Sequence, residues 1–157
     1  MKILNSIPKD NRDRLWAKLE KDIQSRGLKK DRRLRLSGSW KRFVGLSESF
    51  KVYAVDVEWV KNNLSVIFGH GGHGFVHEFI PNDEIWIATH HYKGCGCSNV
   101  RKDRKVSPQY FESCTLHEIT EFRLMKKGMS YWKAHNHSLE AELKLGLLKN
   151  PHREVNF

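Results

Sequence analysis

Apolar residues recur along this chain with two different periods. From Pro8 to about Gly27, Leu15, Trp16, Leu19 and Ile23 return at helical spacing with charges between them. That pattern predicts one amphipathic helix, with Pro8 suited to its first turn. Residues 28–50 turn basic and then rich in serine and glycine ("LSGSWKRFVGLSES"), the composition of a linker that Trp40 and Phe43 would dock on the main body. From Phe50 the period shortens. "FKVYAVDVEWV" is rich in β-branched and aromatic residues and predicts a strand running towards a turn at "KNN", and "LSVIF" predicts a second short strand. "DEIWIATHHY", in which Ile85 and Ile87 alternate with Trp86 and Ala88, is the clearest strand. "KGCGCSNVRKDRKVSP" reads as an exposed loop. Pro108 then opens a helix to about Lys127 that Gly128 ends, and Ser130 caps another to about Leu148, before Pro151. A helix, a group of short strands and two helices predict an α+β fold, a small antiparallel or mixed sheet packed by a C-terminal helix pair. Residues 1–49 form the basic helical extension and linker in this reading, and 50–157 the compact domain.

Charge changes this picture at one end. The net charge is +10, but residues 1–50 hold 14 Lys/Arg against 6 Asp/Glu, whereas residues 51–157 hold 14 against 12. Between Arg26 and Arg42, eight basic residues face the single acid Asp31, which is the composition of a polyanion-binding arm. Arg32, Arg33, Arg35, Lys41 and Arg42 are its candidate nucleic-acid contacts, and a solvated helix face is the plainer alternative. No run approaches the ~20 apolar residues of a membrane span, and no apolar segment precedes the first charges, so a cytoplasmic protein is expected. Cys95, Cys97 and Cys114 are an odd number and read as free thiols or metal ligands before disulfides.

The candidate chemistry lies in "TLHEITEF". On a helix His117 and Glu121 share one stripe a turn apart, close enough to hold one ion, with Glu118 beside them. In zinc peptidases of the HExxH type two histidines at this spacing bind zinc and the intervening glutamate is the general base. Here glutamate stands at the second position, and the following helix carries "AHNHSLEAE", so His135 or His137 would be the third ligand. Zinc is the implied ion, although two nitrogens and one oxygen also suit other divalent transition metals. Without the histidines of the later helix, HExxE would describe an ordinary solvated face with Glu118 and Glu121 paired to Arg123 or Lys126.

Other clusters compete. "GHGGHG" matches a dinucleotide fingerprint in letters, but it leads into another strand and not a helix, so that reading fails. Its histidines, with His77, belong either to a metal or site loop or to a tight turn. His90 and His91 end the best strand, a position that borders many sites. Cys95, Cys97, Cys114 and His117 supply enough donors for a closed structural zinc site, which would take His117 away from catalysis.

"VYAVDVEWVKNNLSVIFGHGGHGFVHEFIPNDEIWIATHH" followed by "LHEITEFRLMKKGMSYWKAHNHSLEAE" resembles a family of small, poorly characterised phage and bacterial proteins of zincin-like character. The resemblance covers roughly residues 50–142 and points to His73, Glu84, Trp86, His117, Glu118, Glu121, His135 and Glu142, favouring His135 over His137. It departs from the family pattern at Val57, Lys61 and Ser138, none of them a proposed ligand. The combined expectation is a zinc-dependent peptidase acting on a peptide or protein substrate. His117, Glu121 and His135 would bind the metal, Glu118 would be the general base, and His73 or His90 would assist at the oxyanion, with the substrate strand laid along "DEIWIA". The alternatives are a nucleic-acid-binding protein with a structural zinc, or a non-catalytic phage or virion interaction protein.

Overall fold

The computed structural model describes residues 38–151. The helix expected over residues 8–27 and the basic side chains Arg32, Arg33 and Arg35 lie outside them. Strand β1 (Lys41–Ser47) is followed by β2 (Phe50–Val55), helix α1 (Val57–Asn63), β3 (Gly71–His73), β4 (Glu84–Ala88), α2 (Pro108–Lys126) and α3 (Tyr131–Leu145). The fold is α+β, with one four-stranded mixed sheet in the order β1-β2-β4-β3. β1 and β2 are an antiparallel hairpin, β2 runs parallel to β4, and β3 lies antiparallel to β4.

β4 explains the layering. Its residues Ile85 to Ala88 are all buried, because alternate side chains feed two different cores. Trp86 and Ala88 join Trp40, Val55, Val57, Val60 and Phe68 on one face. Ile85 and Ile87 join Phe50, Val52, Ile119 and Phe122 on the face covered by α2. Ser107 starts α2 by accepting from the Tyr110 amide at 3.1 Å, with Pro108 in the first turn. The connection of four residues to α3 returns the chain, so that early α2 meets late α3 (Ser113 with Glu142) and late α2 meets early α3 (Glu121 with His135). Among the described residues no helix is long and apolar enough to cross a membrane.

Several expectations change. The stretch read as linker contains β1, paired along its length with β2. "FKVYAVDVEWV" stops being a strand at Val55, because Asp56 caps α1 by accepting from the Trp59 amide at 3.0 Å. "LSVIF" is no strand; Val66 and Ile67 are exposed there and only Phe68 is buried. The glycine run contributes β3, where a larger residue would not fit. A Cβ on Gly71 would stand 3.0 Å from the Glu118 side chain and one on Gly72 2.5 Å from His77. After the run the chain makes a series of turns and not a strand. α3 ends at Gly146, whose φ of 71° is the left-handed cap conformation, before the expected Leu148. Lys41 is not a free cation of a binding arm. Its ammonium is 2.6 Å from Glu84, and its side chain is 6% exposed over the Tyr53 and Trp86 rings.

Candidate metal centre

The α2–α3 hairpin turns one helical stripe into a buried polar cluster. His117 Nε2, Glu121 Oε2 and His135 Nδ1 form a triangle with sides of 3.2, 3.0 and 3.1 Å. Donors bound at ~2.0–2.2 Å around a tetrahedral ion stand about 3.3–3.6 Å apart, so the three atoms need only a slight spreading to hold one. All three residues are buried, which removes the solvated-face reading; Arg123 pairs with Glu48 instead. His137 stands exposed beside Glu140 and takes no part.

Further contacts fix each candidate ligand. His117 Nδ1 lies 2.9 Å from Glu142 Oε2, while Glu142 Oε1 accepts from the Ser113 hydroxyl at 2.6 Å. A carboxylate accepts only, so His117 carries a proton on Nδ1 and turns Nε2 to the cluster. Glu121 is held from behind. The Phe75 amide donates to His73 Nδ1 at 3.2 Å, so His73 donates from Nε2 to Glu121 Oε1 at 2.9 Å and leaves Oε2 for the triangle. His73 is fully buried and absent from the cavity wall. The structure thus places His73, suggested from sequence as an oxyanion donor, behind Glu121, and His90, bonded to Thr89, does not line the cavity either. His135 packs against the Tyr131 and Trp132 rings. Its Nε2 is the buried side-chain nitrogen left without a partner among the described residues, so whatever offsets burial of this ring acts through Nδ1.

The electrostatics ask for a cation. A cavity of about 390 Å³ borders the triangle, and among the described residues its wall includes Glu118, Glu121 and Glu142 but neither lysine nor arginine. Burial opposes charge on His117, but hydrogen bonds to Glu121 and Glu142 outweigh it and raise its pKa to about 10. Burial also opposes ionisation of Glu121, yet bonds from His117, His135 and His73 hold its carboxyl well below the usual range. Two buried glutamates, Glu121 and Glu142, with half-buried Glu118 beside them, gather acidic groups around the triangle, which a divalent ion would neutralise.

This electrostatic balance makes two outcomes measurable. The His117 proton is held more tightly than in the unfolded chain, so its stabilisation is complete below the ordinary value of 6.5 and disappears as pH rises through about 10. The melting temperature of the ion-free protein is expected to fall along that limb, and zinc, which replaces the proton, should flatten it; a flat ion-free profile would refute the tightly held proton. Glu142→Gln keeps all three ligands but loosens the His117 tautomer, and should weaken zinc binding by about 10–100-fold in competition with a chromophoric chelator. Unchanged affinity would separate Glu142 from the metal centre.

The cysteine set suggested by spacing is split. Cys97 and Cys114 flank Tyr110, and burial, with Glu142 and Glu118 adding to it, keeps the Cys114 thiol well above its ordinary pKa. Cys95 lies instead against His70. Sequence reasoning missed Ser113 and the supporting role of His73. Comparison of the chain with family models, with characterised proteins and with solved structures finds no match in any of the three, so the functional reading rests on the geometry.

Proposed function

We propose that this protein is a zinc-dependent hydrolase that cleaves peptide bonds, with one ion held by His117, Glu121 and His135. The observation that carries the reading is the convergence of these three donors within 3.2 Å of one another beside a cavity to which the described residues bring Glu118, Glu121 and Glu142 but neither lysine nor arginine. A bound ion supplies Lewis-acid polarisation of the substrate carbonyl and lowers the pKa of water. Glu118 is the base. One of its oxygens lies within 4.8 Å of donor atoms on both His73 and Glu121, where it takes the proton of the attacking water and returns it to the leaving amine.

β4 cannot take the substrate strand, because β2 and β3 occupy both of its sides. Among the described residues the sheet ends at β3, beside Glu118, so the substrate adds there in extended form. Ile67, Phe75 and Trp132 line the same cavity and are 73%, 45% and 55% exposed, which favours substrates with large apolar side chains near the cleaved bond. The test is cleavage of a fluorogenic peptide library rich in such residues. Activity should vanish with a chelator and return with zinc. Full zinc occupancy with no cleavage anywhere in the library would overturn the reading.

A further inference from the structure

Beyond the α2–α3 hairpin, His70, His91 and Cys95 bring three further metal-binding atoms within 4.8 Å of one another. We propose that they form a second zinc site, structural in role, which clamps the loop after β4 to the segment leading into β3. It stands whether or not the first site is catalytic.

Backbone contacts place each donor. The Ala88 amide donates to the His70 carbonyl at 2.9 Å, which sets His70 beside the end of β4. The His91 amide donates to the Arg104 carbonyl at 2.7 Å, anchoring the start of the loop to its far limb. A turn through Gly94, with φ of 85°, closes with the Cys95 amide donating to the Tyr92 carbonyl at 3.1 Å and swings the thiol back towards His91. Cys95 Sγ is then 3.2 Å from His70 Nε2 and 3.7 Å from His91 Nδ1. Sulfur at ~2.3 Å and nitrogen at ~2.0–2.1 Å around a tetrahedral ion stand about 3.5 Å apart, between the two observed separations.

The donor set selects the ion. One thiolate with two imidazoles suits zinc or cobalt and disfavours magnesium, calcium and manganese. Tyr110 packs against the rings of both His70 and His91 and walls the cluster on one side. His91 is 1% exposed. The structural role follows from the segments joined, since residues 64–70 and 92–104 contain neither helix nor strand and a metal crosslink is a direct way to order them.

Cobalt distinguishes this site from the first, because only a thiolate ligand gives the intense near-ultraviolet sulfur-to-cobalt charge-transfer band. The ion-free full chain carrying Glu121→Gln, which disables the first site, is titrated with Co²⁺ and then Zn²⁺. One equivalent with the thiolate band is expected, and Cys95→Ser in the same background should abolish both. Should Cys95→Ser fail to fold, alkylation of Cys95 in the Glu121→Gln protein, located by peptide mass, gives the same decision. Zn²⁺ should slow it by about tenfold or more, since a metal-bound thiolate is no longer a free nucleophile. A cobalt complex without the thiolate band, or alkylation indifferent to zinc, overturns the site. Loss of zinc from wild type on Glu121→Gln with the thiolate band retained would uphold both sites separately.

Discussion

Glu121→Gln should cost the protein one equivalent of zinc while preserving its fold. Glutamine matches glutamate in shape. Its carbonyl oxygen would keep the His73 hydrogen bond now made at 2.9 Å, and its amide would face His117 Nε2 and His135 Nδ1, now 3.2 and 3.0 Å from Glu121 Oε2. The two nitrogens stand only 3.1 Å apart, so the amide can donate to one of them while the pair keeps its own hydrogen bond, and the cluster stays connected with one carboxylate fewer. The ion-free variant is therefore expected to fold, and to lose only the part of the stability that the Glu121 charge gives the His117 proton. Zinc at ~1,000 times the dissociation constant of this site should raise wild type by about 4 kcal/mol through it, or roughly 8–16 °C for a chain of this size, and that share of the rise should be missing in the variant. Metal analysis and calorimetry on the same samples check both halves. A variant that keeps its full zinc content would show that Glu121 is not a ligand, and one that unfolds would show that its charge serves the fold instead.

The parts of this centre that were legible in sequence share one property, which is closeness along the chain. The His117–Glu121 pair follows from 3.6 residues per turn, and the helix pair follows from Pro108, Gly128 and Ser130. His135 could be suspected because a short connection returns the second helix against the first. Its distinction from His137 rested on a resemblance until their burial separated them. His73 and Ser113 act through Glu121 and Glu142, partners 48 and 29 residues away. No local pattern reports such a pairing. The strand errors have equally physical causes. β3 has no hydrophobic alternation because its first two residues, Gly71 and Gly72, must let the Glu118 and His77 side chains approach. α1 was hidden because Val57 and Val60 continue an apolar run, while a single capping carboxylate at Asp56 redirects the backbone. The parallel pairing of β2 with β4 was invisible for the same reason as the long-range contacts, and it is what encloses β4 and leaves β3 as the edge beside the cavity.

Glu118→Gln separates holding the ion from using it. Glu118 is outside the triangle of His117, Glu121 and His135, and the variant should therefore bind zinc with the stoichiometry of wild type and keep its zinc-dependent rise in melting temperature. Its amide can no longer take a proton from water, so cleavage of the best library peptide should fall by about 10²–10⁴-fold in kcat, the usual contribution of a positioned general base, with KM little changed because the apolar wall formed by Ile67, Phe75 and Trp132 is untouched. The split between the two parameters is what gives the variant its value. A fall in kcat with the metal retained assigns Glu118 to the chemical step. Loss of zinc would make Glu118 a ligand and move the base elsewhere. Full activity with full occupancy would remove Glu118 from the chemical step and leave the proton of the attacking water to another group.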